Sequence, residues 1–148
     1  MAKYKRPEGH HTITPGFSCQ NAAKVITFLE QAFGGKVVDK YEGPGGSIMH
    51  VEVMIGDSVV MFGEPMPGTQ TMPGMLSFYV DDGDAVDATY KRALAAGATT
   101  QAEPKNQFYG YRSATVRDAG GNAWTICAIV EQLTVEEMHR RAADMMKG

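Results

Sequence analysis

Apolar and polar positions along the chain set out one series of elements twice. Residues 12–19 (TITPGFSC) predict a short strand. Residues 22–33 predict an amphipathic helix, with Ala22, Ile26, Leu29 and Phe33 at helical spacing. Asn21 stands where a side chain would cap that helix. Gly34-Gly35 stands where the helix must stop, in a conformation that favours glycine. Three runs of strand character follow, 36–41, 48–55 and 58–63, with turns at Gly43-Pro44-Gly45-Gly46 and Gly56-Asp57.

The order then recurs. Residues 75–82 predict a strand, and Asp84 opens a helix that runs to Ala96 and stops at Gly97. Strands are predicted at 98–103, 111–117 and 123–129, with Gly120-Gly121-Asn122 at the last turn. The helix-stopping glycines Gly35 and Gly97, and the last turns of the two halves, fall at nearly the same offset. Side-chain identity between the halves is slight, so the repeat is one of pattern. The segment EPMPGTQTMPG (64–74) carries three prolines and no periodicity, and reads as the linker between two βαβββ modules. Thr134 and Glu137 form a capping box for a C-terminal helix over 133–147, whose Met138, Ala142 and Met145 share one face and need a surface to dock on. The expected fold class is therefore α+β: modules 12–63 and 75–129 in one domain over 10–130, followed by that helix.

Composition narrows the function classes. With 148 residues, 43% of them hydrophobic and 21% charged, the chain has the make-up of an ordinary globular domain. A chain of this length buries roughly 68% of its unfolded surface and needs neither disulfide nor metal to stay folded. The net charge is −3 and no segment concentrates Lys and Arg, which argues against a nucleic-acid partner. No apolar run reaches the ~18 residues of a membrane span. The start, MAKYKRPEGHH, is followed by no apolar stretch of a secretory signal. Cys19 and Cys127 are the only cysteines, too few for a disulfide framework and expected as reduced thiols in a cytoplasmic protein.

Two clusters carry candidate chemistry. His50 and Glu52 alternate with Val51 and Val53 on one predicted strand, so the polar pair shares a face opposite the valines. That pair could hold a ligand, act as an acid/base pair, or form a solvated or subunit-contact strand face. Arg112, with Gln107, Phe108, Tyr109 and Tyr111, could grip an anion while the rings stack on a flat ligand; the alternative is an aromatic-anchored loop with Arg112 in a structural ion pair. His10-His11 reads as an exposed strand lead-in and His139 as solvated. Met54, Met61, Met75 and Trp124 suit an adaptable apolar lining or core, and the Trp124 N–H needs one partner. No GxSxG elbow or GxxxxGK[ST] loop is present. EGPGGS (42–47) lacks the third glycine of a dinucleotide fingerprint, and Cys127 has no His beside it in sequence.

The tandem βαβββ order resembles the vicinal oxygen chelate superfamily of glyoxalase I, bleomycin-resistance proteins and extradiol dioxygenases. HTITPGF (11–17), AAKVITFLEQAFGG, MHVEVMIGDSVVMFGE (49–64) and QFYGYRSATVRDAGGNAWTI (107–126) are similar to its PhnB-like branch. Tyr111 stands where that branch often has Asp, Ser77 where it often has His, and Ala119-Gly120 where it has Pro-Phe. The resemblance implies that each module curls into a half-barrel with its helix outside, and that inner faces enclose a cleft. It also implies that metal-using relatives draw four His, Glu or Gln ligands from the first and last strands of each module. Thr14, Val60, Met75 and Thr125 fall at those places here, and none suits a divalent ion that seeks imidazole or carboxylate.

The expectation is thus a small-molecule-binding protein with no metal or other cofactor. Its ligand-binding residues would be His50, Glu52, Gln107, Phe108, Tyr109 and Arg112, and it would form a homodimer whose clefts are completed by the pairing. The alternatives are a glyoxalase-like lyase, isomerase or dioxygenase using a non-standard metal site or His50/Glu52 acid/base chemistry, and a structural dimer with a vestigial cleft.

Overall fold

A computed structural model describes residues 3–148. The first module comprises β1 (Gly16–Ser18), α1 (Ala22–Phe33), β2 (Lys36–Glu42), β3 (Ile48–Ile55) and β4 (Ser58–Gly63). The second comprises β5 (Met75–Tyr79), α2 (Gly83–Ala95), β6 (Thr99–Asn106), β7 (Tyr111–Arg117) and β8 (Ala123–Ile129). Helix α3 (Val135–Lys147) follows. Each module folds into a four-stranded mixed sheet, in the orders β1-β4-β3-β2 and β5-β8-β7-β6. In each, the first strand runs parallel to the last and the other pairings are antiparallel. The two sheets are therefore the same topology written twice.

The helices begin and end for local reasons. Asp82 caps α2 by accepting from the Ala85 N–H at 2.8 Å, and Thr134 caps α3 by accepting from Glu137 at 3.1 Å. Gly34 ends α1 at φ 68°, a backbone state that costs glycine little. Two expectations need correction. Asn21 does not cap α1: it sits at φ 59°, and its Nδ2 donates across the modules to the Ala119 carbonyl at 3.0 Å. The strand expected over 12–19 shrinks to Gly16–Ser18, because His11 N–H donates to Thr14 Oγ1 while that hydroxyl donates to the His11 carbonyl, closing a local turn.

Strand register sorts side chains onto two faces. In the first sheet Val51 faces the same way as Phe62 and Phe17, and Val53 the same way as Val60; all are buried against the helices. In the second sheet Leu76, Phe78, Trp124, Ile126, Ala114 and Val116 form the corresponding helix face. The two helix faces meet. Phe33 stacks on Phe78 with ring centroids 4.3 Å apart and meets Trp124 edge-on at 5.3 Å, while Arg92 of α2 donates to the Ala32 carbonyl of α1 at 3.3 Å. A single apolar core with residues from both modules results. What lies between the modules of one chain is this core, so each sheet keeps an open face on its far side.

The turn between β7 and β8 is pinned by a buried carboxylate. Asp118 accepts from the Asn122 backbone and side chain, from the Gly120 N–H and, at 2.8 Å, from Trp124 Nε1. Asn122 Oδ1 in turn accepts from Gly74 N–H at 2.8 Å, which fixes the end of the linker. The run RDAGGNAW is accordingly a structural unit, and it supplies the partner that the Trp124 N–H required. Among the described residues no helix is long and apolar enough to cross a membrane.

Candidate functional site on the open sheet faces

On the first open face, strand alternation brings His50, Glu52 and Met61 to one side. Glu52 is a half-buried carboxylate between two imidazoles. His10 Nε2 donates to its Oε1 at 2.9 Å, and His50 Nε2 lies 3.6 Å from the same oxygen. His10 is thus not an exposed lead-in: its side chain is only 12% exposed. It reaches Glu52 because residues 9–15 run beside β4, with Val59 N–H donating to the Gly9 carbonyl and Met61 N–H to that of Pro15. A Cβ on Gly9 would collide with Met54 and Val59, so the segment crosses that end of the face at backbone contact distance. The bond to Glu52 holds the His10 imidazolium above its ordinary range, the largest of several causes. The ring of Tyr41 lies 6.2 Å from that of His50. A shallow cavity of about 290 Å³ beside His50 is lined by Gly16, Ser18, Met61 and Glu64.

The second open face differs in chemistry. Register aligns Ser77 with Thr125, Thr125 with Thr115, Tyr79 with Cys127 and Cys127 with Ser113. The hydroxyls of Thr115 and Thr125 are 3.0 Å apart, and Gln107 Nε2 donates to Ser113 Oγ at 3.1 Å. The hydroxyls of Tyr79 and Tyr111 lie 3.4 Å apart, and that neighbour chiefly pushes the Tyr79 phenol up to about 12. Burial raises the Cys127 thiol above its ordinary range, so it is no activated nucleophile. At the free edge of β5 a cavity of about 380 Å³ lies between the modules, lined by Val60 of the first sheet, by Leu76, Phe78 and Trp124 from the helix face of the second, and by His11, Asp57, Ser77 and Tyr79.

The sequence-predicted residues therefore divide. His50 and Glu52 share one face as their alternation requires. Gln107, Phe108 and Tyr109 lie at the β6–β7 turn of the other sheet, and no hydrogen bond joins the two groups among the described residues. Arg112 turns to the helix side with Ala114 and Val116. Its Nε and Nη2 donate to Asp87 Oδ1 and Oδ2 of α2 at 2.8 and 3.0 Å, and Nη1 to Asn106 at 3.1 Å. The guanidinium is spent on the fold. Two residues were missed. His10 gave no signal, since its partner lies 42 residues on. Tyr79 did give one: it alternates with Leu76 and Phe78 onto the face of Ser77.

The superfamily's divalent ion can be tested against these donors. On the open faces, the end strands present Gly16 beside Met61, and Ser77 beside Thr125. Thr14 precedes β1 and Val60 is buried on the helix face, which corrects the sequence registration of the first module; Met75 and Thr125 lie on the open face. Neither set contains imidazole or carboxylate, so the residues present do not fit the ion. Among the described residues no group of three His, Cys, Asp or Glu is arranged to hold one.

Comparison with known proteins agrees with this architecture. An uncharacterised protein of Mycobacterium bovis is 28% identical over 147 residues, covering 92% of this chain and 95% of that one. TioX from Micromonospora sp. ML1 superposes with a TM-score of 0.62 at 21% identity, over 84% of this chain and all of that one. The PhnB protein from Bacillus cereus superposes with a TM-score of 0.65 at 13% identity, over 80% of this chain and 99% of that one. The family model of the Glyoxalase/Bleomycin resistance protein/Dioxygenase superfamily matches residues 9–126, and the chain belongs to that superfamily.

Proposed function

We propose that this chain is a small-molecule-binding protein of the PhnB-like branch that works without the superfamily's divalent ion and whose clefts are completed by a second copy. The observation that carries the proposal is the donor chemistry of the end strands. Gly16, Met61, Ser77 and Thr125 replace an ion's ligands, while the same faces keep hydroxyls, rings and a His–Glu cluster suited to holding an organic molecule. The PhnB-like assignment draws on the string QFYGYR with RDAGGNAW and on the likeness in fold to the Bacillus cereus protein. A cytoplasmic location draws on Cys19 and Cys127, both buried and unpaired.

A homodimer follows from what one chain leaves uncovered. The modules spend their helix faces on each other, and β1 and β5 are edge strands. Around them Ile13, Met72 and Met75 are 75–88% exposed. A two-fold copy would cover these apolar side chains and pair the free edges. A second reading, acid/base chemistry by His50 and Glu52 without a metal, is favoured by the 2.9 Å contact from His10, whose Nε2–H can replace a proton that the Glu52 carboxyl gives to a substrate.

Light scattering together with elemental analysis of the purified protein tests the proposal. A dimer at micromolar concentration with less than a tenth of an equivalent of divalent transition metal per chain is expected. A stable monomer, or one equivalent of such a metal per chain, would overturn it.

A further inference from the structure

Four aromatic rings gather where β5, β7 and the β6–β7 turn meet. Tyr79 and Tyr111 have centroids 6.1 Å apart at 74°, Tyr109 and Tyr111 5.3 Å apart at 54°, and Phe108 and Tyr109 5.2 Å apart at 88°. In an edge-to-face pair the edge of one ring meets one face of the other, so the opposite face of that ring stays open to a further partner. Tyr79 is 60% exposed and Tyr109 38% exposed. Beyond the rings the sheet face offers Ser77, Ser113, Thr115 and Thr125, all hydroxyls without charge. Arg117, at the far end of β7, is spent on the Gly121 carbonyl and Gln101.

We infer that this face takes a neutral, planar aromatic or heteroaromatic compound bearing hydroxyl or carbonyl groups. The inference rests on the ligand-binding reading above and narrows it to a ligand class. The compound stacks on the exposed faces of Tyr79 and Tyr109, and its polar groups meet the paired hydroxyls of Tyr79 and Tyr111 and the hydroxyls of the sheet. The other classes lack their partners. An anion would need Arg112, which lies on the opposite face with Asp87. A quaternary cation would need room between the rings, which already touch. It would also need a free carboxylate, whereas Glu131 and Glu137 beside the turn are both held by Arg141. An aliphatic ligand gains nothing from ring faces that a leucine would not supply.

The probe pair 2-naphthol and decahydro-2-naphthol isolates the ring, since the two share size and hydroxyl and differ in aromaticity. Calorimetric titration of the unaltered protein is expected to give at least tenfold tighter binding of 2-naphthol. Tyr79→Leu and Tyr109→Leu should each weaken 2-naphthol at least tenfold, Tyr109→Phe no more than twofold, and Tyr4→Leu not at all. Equal affinities for the two probes overturn the inference and leave the binding reading standing, and they do so without any variant having to fold. Absence of binding by 2-naphthol also overturns it. If the purified protein in addition carries no small molecule, the binding reading falls with it.

Discussion

Arg112 and Asp87 form a two-bond ion pair, 2.8 and 3.0 Å long, that ties β7 to α2 on the side of the sheet away from the open face. The pair holds the Asp87 carboxyl below its usual range and is part-exposed, so its worth is that of a surface pair with good geometry. Arg112→Ala should lower unfolding free energy by about 1 kcal/mol or less and leave 2-naphthol affinity within twofold. Urea titration and calorimetry read the two effects. A tenfold loss of affinity with unchanged stability would return Arg112 to the site.

Asp118 is expected to matter far more. It is 6% exposed and accepts from three residues, one of them the core Trp124. Asp118→Ala strands the Trp124 N–H and the Asn122 amide, so the loss should be about 3 kcal/mol or more, as for a buried network left unsatisfied. Trp124→Phe removes one of those donors together with its need. In the double variant the two losses should therefore add to less than their sum. Strict additivity by denaturant unfolding would refute the coupling.

The two aspartates also show how much was legible. The alternation that put His50 and Glu52 opposite Val51 and Val53 is local, and the structure keeps it. The same rule at 111–117 groups Arg112 with Ala114 and Val116, so its turn to the helix side could have been read from the chain. Both module patterns and the helix stops at Gly34 and Gly97 were legible because turn chemistry and periodicity act over a few residues. His10 with Glu52 and Asn21 with Ala119 were not, because those partners lie 42 and 98 residues apart and are brought together only by the finished fold. Helix α3 is partly legible: its cap forms, and Met138 and Ala142 of its apolar face are half-buried, while Met145 stays 61% exposed.

The His10–Glu52 bond makes attachment of the N-terminal segment depend on pH. The imidazole titrates above its ordinary value of 6.5 in the folded chain. A group so raised stabilises the folded state fully below 6.5, and that contribution fades as pH rises through the raised value. Exchange of the Val59 amide proton, which donates to the Gly9 carbonyl, should therefore show protection that declines over that interval after correction for intrinsic rates. His10→Asn should flatten the profile. A profile unchanged by the substitution would contradict the assignment.

The most direct test of ligand binding without the superfamily's ion is native mass spectrometry of the protein after exhaustive dialysis against a chelator. The account predicts a dimer that still carries or still takes up a small organic molecule, with no divalent metal in the mass balance. A species with one metal ion per chain, whose removal abolishes uptake of the organic molecule, would contradict it.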